Sequence, residues 1–148
     1  MTDQRQRVLF LCTHNSARSQ MAEGLLRNLA GGRVDVASAG TGATHVRPLA
    51  IRAMSELGID VSSQESKLLD RYVDQPWDYV ITVCDQANDS CPIFPGGRHR
   101  RHWSLPDPSK ATGSEDERLA VYRDVRDAIR ARIERELLHG TVAEQPRG

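Results

Sequence analysis

Cys12 and Arg18 are separated by five residues, Thr13, His14, Asn15, Ser16 and Ala17, and Ser19 follows directly. A thiol and a guanidinium at this separation suit nucleophilic attack on a tetrahedral oxyanion. A short loop turns successive backbone N–H groups inward and forms an anion nest. Arg18 can grip two oxygens of the anion in a fork. The same positive field holds Cys12 as thiolate, which is the nucleophilic form, and Ser19 can donate a hydrogen bond to its sulfur. An isolated cysteine is more often a core residue. Here loop, arginine spacing and flanking elements all favour the chemical role.

Two further thiols, Cys84 and Cys91, follow a β-like run. Seven helical residues span about 10 Å, whereas a disulfide needs Cα atoms within roughly 7 Å. The pair can therefore bond only if the segment between them is looped or unwinds, and Asn88-Asp89-Ser90 ahead of Pro92 is weak helix material. Three readings stand at this point: packing cysteines, a zinc site with His99 and His102, or a thiol relay. The spacing fits zinc poorly. A carboxylate completes the inventory. Asp107 lies between Pro106 and Pro108 in a rigid loop, where it can protonate an oxygen as that oxygen leaves.

The elements that must position these groups read as alternating strands and helices. Val8-Leu9-Phe10-Leu11 suits a strand buried on both faces. Residues 16–29 have helical periodicity through Met21, Leu25, Leu26 and Leu29, stopped by Gly31-Gly32. A second strand is expected at 34–37, followed by a turn at 38–42. A helix from Pro48 carries Ile51, Met54 and Leu57 and ends at Gly58. Residues 66–73 predict a short helix, 79–83 a strand and 99–103 a weaker last strand. Ser114 with Glu117 forms a capping box for a long final helix. Its apolar stripe is Leu119, Val125, Ile129, Ile133 and Leu137. The tail 139–148 is polar and expected to fray. Strand–helix alternation argues for a parallel sheet flanked by helices. In such sheets ligands bind at the carboxyl ends of strands, which is where Cys12 falls and where Cys84 would join it.

Composition narrows the function classes. The chain has 148 residues, with 39% hydrophobic and 27% charged, which is the balance of one globular domain. Twenty Lys+Arg offset twenty Asp+Glu, so bulk charge makes no case for nucleic acid or anionic lipid. The longest apolar run is too short to span a bilayer, and the N-terminus lacks a signal-peptide stretch. A cytoplasmic monomer is expected, with no membrane or nucleic-acid partner. Three cysteines in a reducing compartment do not read as a static disulfide framework.

Cys12-x5-Arg18-Ser19 after the first strand resembles the low-molecular-weight protein tyrosine phosphatases. Ser19-Gln20-Met21-Ala22-Glu23 and Ser38-Ala39-Gly40 are similar to the arsenate reductases built on that fold. Those phosphatases usually carry a second cysteine just before the arginine; this chain has Ala17. The stretches 80–84 and 91–95 resemble the redox segment of thioredoxin-coupled arsenate reductases. Asp107-Pro108 resembles the general-acid loop, but Ser109-Lys110 stands where the phosphatases commonly have tyrosines.

The resemblance implies an α/β fold: one three-layer domain over 1–148, with a four-stranded parallel sheet flanked by helices. It implies reduction of arsenate to arsenite. Residues 13–19 bind the oxyanion, Cys12 attacks arsenic and Asp107 supplies the proton. Cys84 then attacks Cys12, Cys91 attacks Cys84, and thioredoxin reduces the resulting disulfide. No flavin or nicotinamide signature is present and no tightly bound cofactor is expected. The alternative is a phosphatase proceeding through phosphocysteine. Some members bind potassium beside the loop through positions matching Asn15, Glu23 and Ser38, with an aspartate where this chain has Lys67. Loop support is thus expected from Asn15, Glu23, Ser38 and Lys67, with potassium dependence left open.

Overall fold

The computed structural model describes residues 6–42, 44–83 and 97–138. Cys84, Cys91 and the expected tail at 139–148 lie outside the described residues. The chain runs through β1 (Gln6–Cys12), α1 (Arg18–Ala30), β2 (Val34–Gly40), α2 (Pro48–Ser55), β3 (Trp77–Thr82), β4 (Gly97–His102) and α3 (Glu115–Arg132). A widened helical turn, Ile133–Leu138, extends α3. The four strands form a sheet in the order β2-β1-β3-β4, and every pairing is parallel.

That order places the site. From β1 the chain steps to β2 on one side, and β3 lies on the other side of β1. The carboxyl end of β1 is therefore the point where strand order reverses, and open α/β sheets bind ligands at such a point. Cys12 is the last residue of β1.

Alternation along β1 sends Val8, Phe10 and Cys12 into the larger core, with the buried faces of α1, α2 and α3. Leu9 and Leu11 enter a second cluster with Ala39, Leu69, Trp77 and Val80. A central strand buried on both faces needs the continuous apolar run seen in the sequence. The short helix expected at 66–73 is only a single 3₁₀ turn, Leu69–Arg71. Leu69 faces the sheet from it while Leu68 is exposed, so one turn suffices to cover that face. β2 runs on through Ser38, Ala39 and Gly40, where the sequence pattern predicts a turn. Register with Phe10, Leu11 and Cys12 holds these residues in the sheet.

The helix signals hold. Gly31 closes α1 in the left-handed conformation, with φ 58°. Ser114 and Glu117 make the reciprocal capping box. The stripe Leu119, Val125, Ile129, Ile133 and Leu137 is buried, joined by Tyr122. Among the described residues no helix is long and apolar enough to cross a membrane.

Candidate active site

Cys12 is buried, 4% exposed. The chain leaves β1, makes a five-residue loop and enters α1 at Arg18. The tightest point is Asn15, with φ 51°; asparagine is among the few side chains that accept this region. Its carboxamide is fully buried and fully used. Nδ2 donates to Ser19 Oγ at 2.8 Å and to Ser38 Oγ at 2.9 Å. Oδ1 accepts from Gln20 Nε2 at 2.9 Å and from the Lys67 backbone N–H at 2.8 Å. Four bonds exhaust the hydrogen-bonding capacity of an asparagine side chain, so the loop has one conformation in which Asn15 is satisfied.

The rest of the loop is held by backbone. Gly42 N–H donates to Thr13 O at 2.8 Å, and Ser66 Oγ donates to His14 O at 3.0 Å. Arg47 N–H donates to Ser16 O at 2.8 Å. His14 is exposed, Thr13 half-buried, and Ser16, Ala17 and Ser19 buried. Ala17, at the N-cap of α1, offers no capping side chain, and no acid lies in the first turn. The positive end of α1 is thus left for an anion rather than neutralised internally.

Arg18 is 8% exposed. Nη1 donates to Leu105 O at 3.0 Å, and Nη2 lies 3.5 Å from Asp107 Oδ2. Its Nε is buried and lacks a hydrogen-bond partner among the described residues. The other oxygen of Asp107 accepts from Ser109 N–H at 2.9 Å and Ser109 Oγ at 2.7 Å. Burial pushes the Asp107 carboxyl up, but the two Ser109 bonds and the Arg18 charge outweigh it and hold the group below the ordinary carboxylate value.

Beneath the loop lies a buried charge cluster. Glu23 Oε1 accepts from Ser38 Oγ, Glu23 Oε2 pairs with Arg27, and Lys67 Nζ sits 3.7 Å from Glu23 Oε1. Lys67 and Glu23 are both nearly inaccessible, with side chains 7% and 6% exposed. Lys67 Nζ also donates to Glu65 O at 2.7 Å. Burial lowers the Lys67 ammonium from its ordinary value, against the opposing pull of Glu23. The family resemblance points to Asn15, Glu23, Ser38 and Lys67 as supports but not to Gln20 or Gly40. Gln20 Nε2 reaches Asn15 and Glu65 O, and Gly40 packs so closely that a Cβ there would meet Asn15 N and Thr13 O at 2.8 Å. Neither residue carries a composition signal; only the fold reveals the crowding.

Cys84 and Cys91 lie outside the described residues. Val83, the residue before Cys84, is buried and donates to Leu11 O at 2.9 Å, beside Cys12 in the sheet. Among the described residues there is no group of His, Cys, Asp and Glu suited to a metal ion.

The site thus joins a cysteine at a strand end, an uncapped helix N-terminus and an Arg–Asp pair. The model of the low molecular weight phosphotyrosine protein phosphatase family matches residues 7–146, and the chain belongs to that family. Within it, the chain is 48% identical over 126 residues to an arsenate reductase of Halalkalibacterium halodurans, covering 85% of this chain and 91% of the relative. A solved arsenate reductase in its phosphate-binding state superposes with TM-score 0.76 at 35% identity, over 87% of this chain and 94% of its own. A thioredoxin-dependent arsenate reductase of Corynebacterium glutamicum superposes with TM-score 0.62 at 32% identity, over 86% of this chain and 59% of its own.

Proposed function

We propose that the chain reduces arsenate to arsenite with electrons from thioredoxin. The carrying observation is the convergence of Cys12, the uncapped N-terminus of α1, and Arg18 within 3.5 Å of Asp107. Similarity to arsenate reductases supports arsenate as the substrate of this site.

In the first step the Cys12 thiolate forms an S–As bond while one As–O bond breaks. That oxygen leaves as water, taking a proton from Asp107. The resting Asp107 is a carboxylate, so its proton must arrive with the substrate. Arsenate near neutral pH still carries hydrogen, and an anion on Arg18 removes part of the charge that keeps Asp107 ionised. In the second step the Cys84 thiolate attacks Cys12 Sγ. The S–As bond breaks, its electron pair stays on arsenic, and arsenic(V) becomes arsenic(III). Cys91 then attacks Cys84, frees Cys12 and leaves a Cys84–Cys91 disulfide, which a thioredoxin dithiol reduces. Thr13, His14, Ser16, Ala17 and Ser19 supply the oxyanion nest, and Ser19, whose oxygen accepts from Asn15, keeps its hydrogen for the Cys12 sulfur.

Lys67 supports a loop braced from within. Its ammonium holds the position beside Glu23 that a potassium ion would share, and Glu23 is already paired with Arg27. A second monovalent cation does not fit there. The cradle also accepts phosphate, so weak hydrolysis of aryl phosphates is expected beside the main activity.

The test is consumption of NADPH with arsenate, thioredoxin and thioredoxin reductase. The intact protein should turn over, and Cys12→Ser should lose both arsenate reduction and aryl phosphate hydrolysis. Cys84→Ser and Cys91→Ser should lose multiple turnover but retain hydrolysis, since only the reductase cycle must regenerate a thiol. Cys91→Ser should release one arsenite per enzyme and trap Cys12–Cys84. Sustained turnover by Cys91→Ser would overturn the relay.

A further inference from the structure

A cleft of about 240 Å³ opens beside the catalytic loop, lined by Arg47, Leu49, Ser109, Glu115, Arg118 and Tyr122. It adjoins the site on two sides. Arg47 donates its N–H to Ser16 O of the oxyanion loop at 2.8 Å, and Ser109 holds Asp107 Oδ1 through both its amide and its hydroxyl.

Its charge is unbalanced. Among the described residues neither Arg47 nor Arg118 has a carboxylate within ion-pair distance, whereas Glu115, the acid in the lining, is paired with Arg52 at 3.4 Å. Arg47 Nε is buried with no hydrogen-bond partner among the described residues. Buried polar atoms are ordinarily satisfied, so an orphaned guanidinium nitrogen beside an anion-handling loop is an unfilled donor. The Tyr122 hydroxyl is pushed up first by burial, with Arg47 and Arg118 pulling down and Asp107 pushing up. Tyr122 lines the same cleft as both arginines, and Ser109 joins that cleft to Asp107.

We propose that Arg47 and Arg118 form a cationic antechamber that holds the incoming tetrahedral oxyanion and delivers it to the Cys12 loop. This rests on the arsenate reading of the site and adds residues that set substrate capture rather than chemistry. The arginines reach the anion through charge, so they act on the encounter and on KM. Cys12, Arg18 and Asp107 act on turnover. Anion capture by these half-buried arginines weakens as salt screens it, with a screening length of about 10 Å at 0.1 M.

The experiment compares the intact protein with Arg47→Gln, Arg118→Gln and the double variant, at low and high ionic strength set with sodium chloride. Each is first checked for unchanged far-UV circular dichroism. Arsenate KM is measured in the thioredoxin-coupled assay, and inorganic phosphate affinity is measured by calorimetry without turnover. The expected result at low ionic strength is a KM rise of about threefold for each single variant and about tenfold for the double. Phosphate Kd should rise in parallel, kcat should change by less than about twofold, and the differences should shrink at high salt. Unchanged KM and phosphate Kd in the double variant at low salt would overturn the antechamber, as would a fall in kcat at constant KM. Failure of the arsenate reading is distinguishable: the intact protein would then show no NADPH consumption, while the phosphate titrations still report on the cleft.

Discussion

Asn15 shows how a single side chain can fix a loop between a strand and a helix. Its backbone adopts a conformation disfavoured for most residues, and its carboxamide is held by Ser19, Ser38, Gln20 and Lys67 at once. Lys67 enters this cluster twice, through its backbone N–H to Asn15 and its ammonium to Glu23. The intact protein should therefore be indifferent to the monovalent cation, with equal arsenate turnover in potassium and sodium at matched ionic strength. Lys67→Asp removes the internal cation and adds an oxygen ligand, and should acquire a potassium response in that comparison. A strong potassium requirement in the intact protein would show that the ammonium does not fill the role. Asp107 offers a second test. Asp107→Asn is nearly isosteric but has no proton suited to the leaving oxygen, so turnover should drop by ~10²–10⁴-fold with little change in arsenate binding. A change below about threefold in single-turnover kinetics would reduce Asp107 to a turn residue.

At the scale of elements, β1, the loop and α1 form one strand–loop–helix unit, and β2 presses against it. Gly40 makes the close approach possible: a Cβ there would lie 2.8 Å from Asn15 N and Thr13 O and 2.7 Å from Gly42 O. All three are backbone atoms, so nothing flexible can yield. Gly40→Ala should lower arsenate turnover and phosphate affinity by about tenfold or more, because displacement of a positioned group by 1 Å can cost ~10²-fold. Kinetics and phosphate titration on the folded variant check this. Much of the fold around the site was legible in the sequence. The apolar run of β1, the Cys12–Arg18 spacing, the Gly31 stop and the Ser114 capping box are local signals, and local physics decides them. What escaped is non-local. The continuation of β2 through Ser38–Gly40 depends on register with Phe10–Cys12, which no window of sequence contains. Residues 66–73 have apolar side chains suited to a helix, but they need only one turn to place Leu69 against Leu9 and Leu11. Gly40 is one glycine among eleven, and its role is visible only once three backbone segments meet.

For the molecule as a whole, the entrance to the site depends on how α2 and α3 sit together. α2 begins at Pro48, directly after the Arg47 contact with the loop, and α3 begins a few residues after the acid loop. Glu56, at the C-cap of α2, ties the two. It accepts from Arg123 Nε at 2.9 Å and from Arg126 Nη1 at 3.0 Å. Arg126, 7% exposed, also donates to Ala53 O at 2.7 Å. The hydrogen bond from Arg123 is the main cause that holds the Glu56 carboxyl down, from 4.5 to about 2. Linkage fixes the sign. A carboxylate with a lower pKa folded than unfolded contributes stability that is fully present above its unfolded value and is lost as pH falls through the folded one. Glu56→Gln should therefore melt below the intact protein at pH 7, by about 2–4 °C for a chain of this size. The gap should narrow as pH drops from about 4.5 towards 2 and close below that. Because the pair lies at the surface, the gap at pH 7 should also shrink in high salt. Thermal melts of both proteins across this pH range provide the measurement. A difference in Tm that stayed constant from pH 7 down to pH 2 would mean that Glu56 acts through shape rather than charge, and would remove the ion pair as the tie between the two helices.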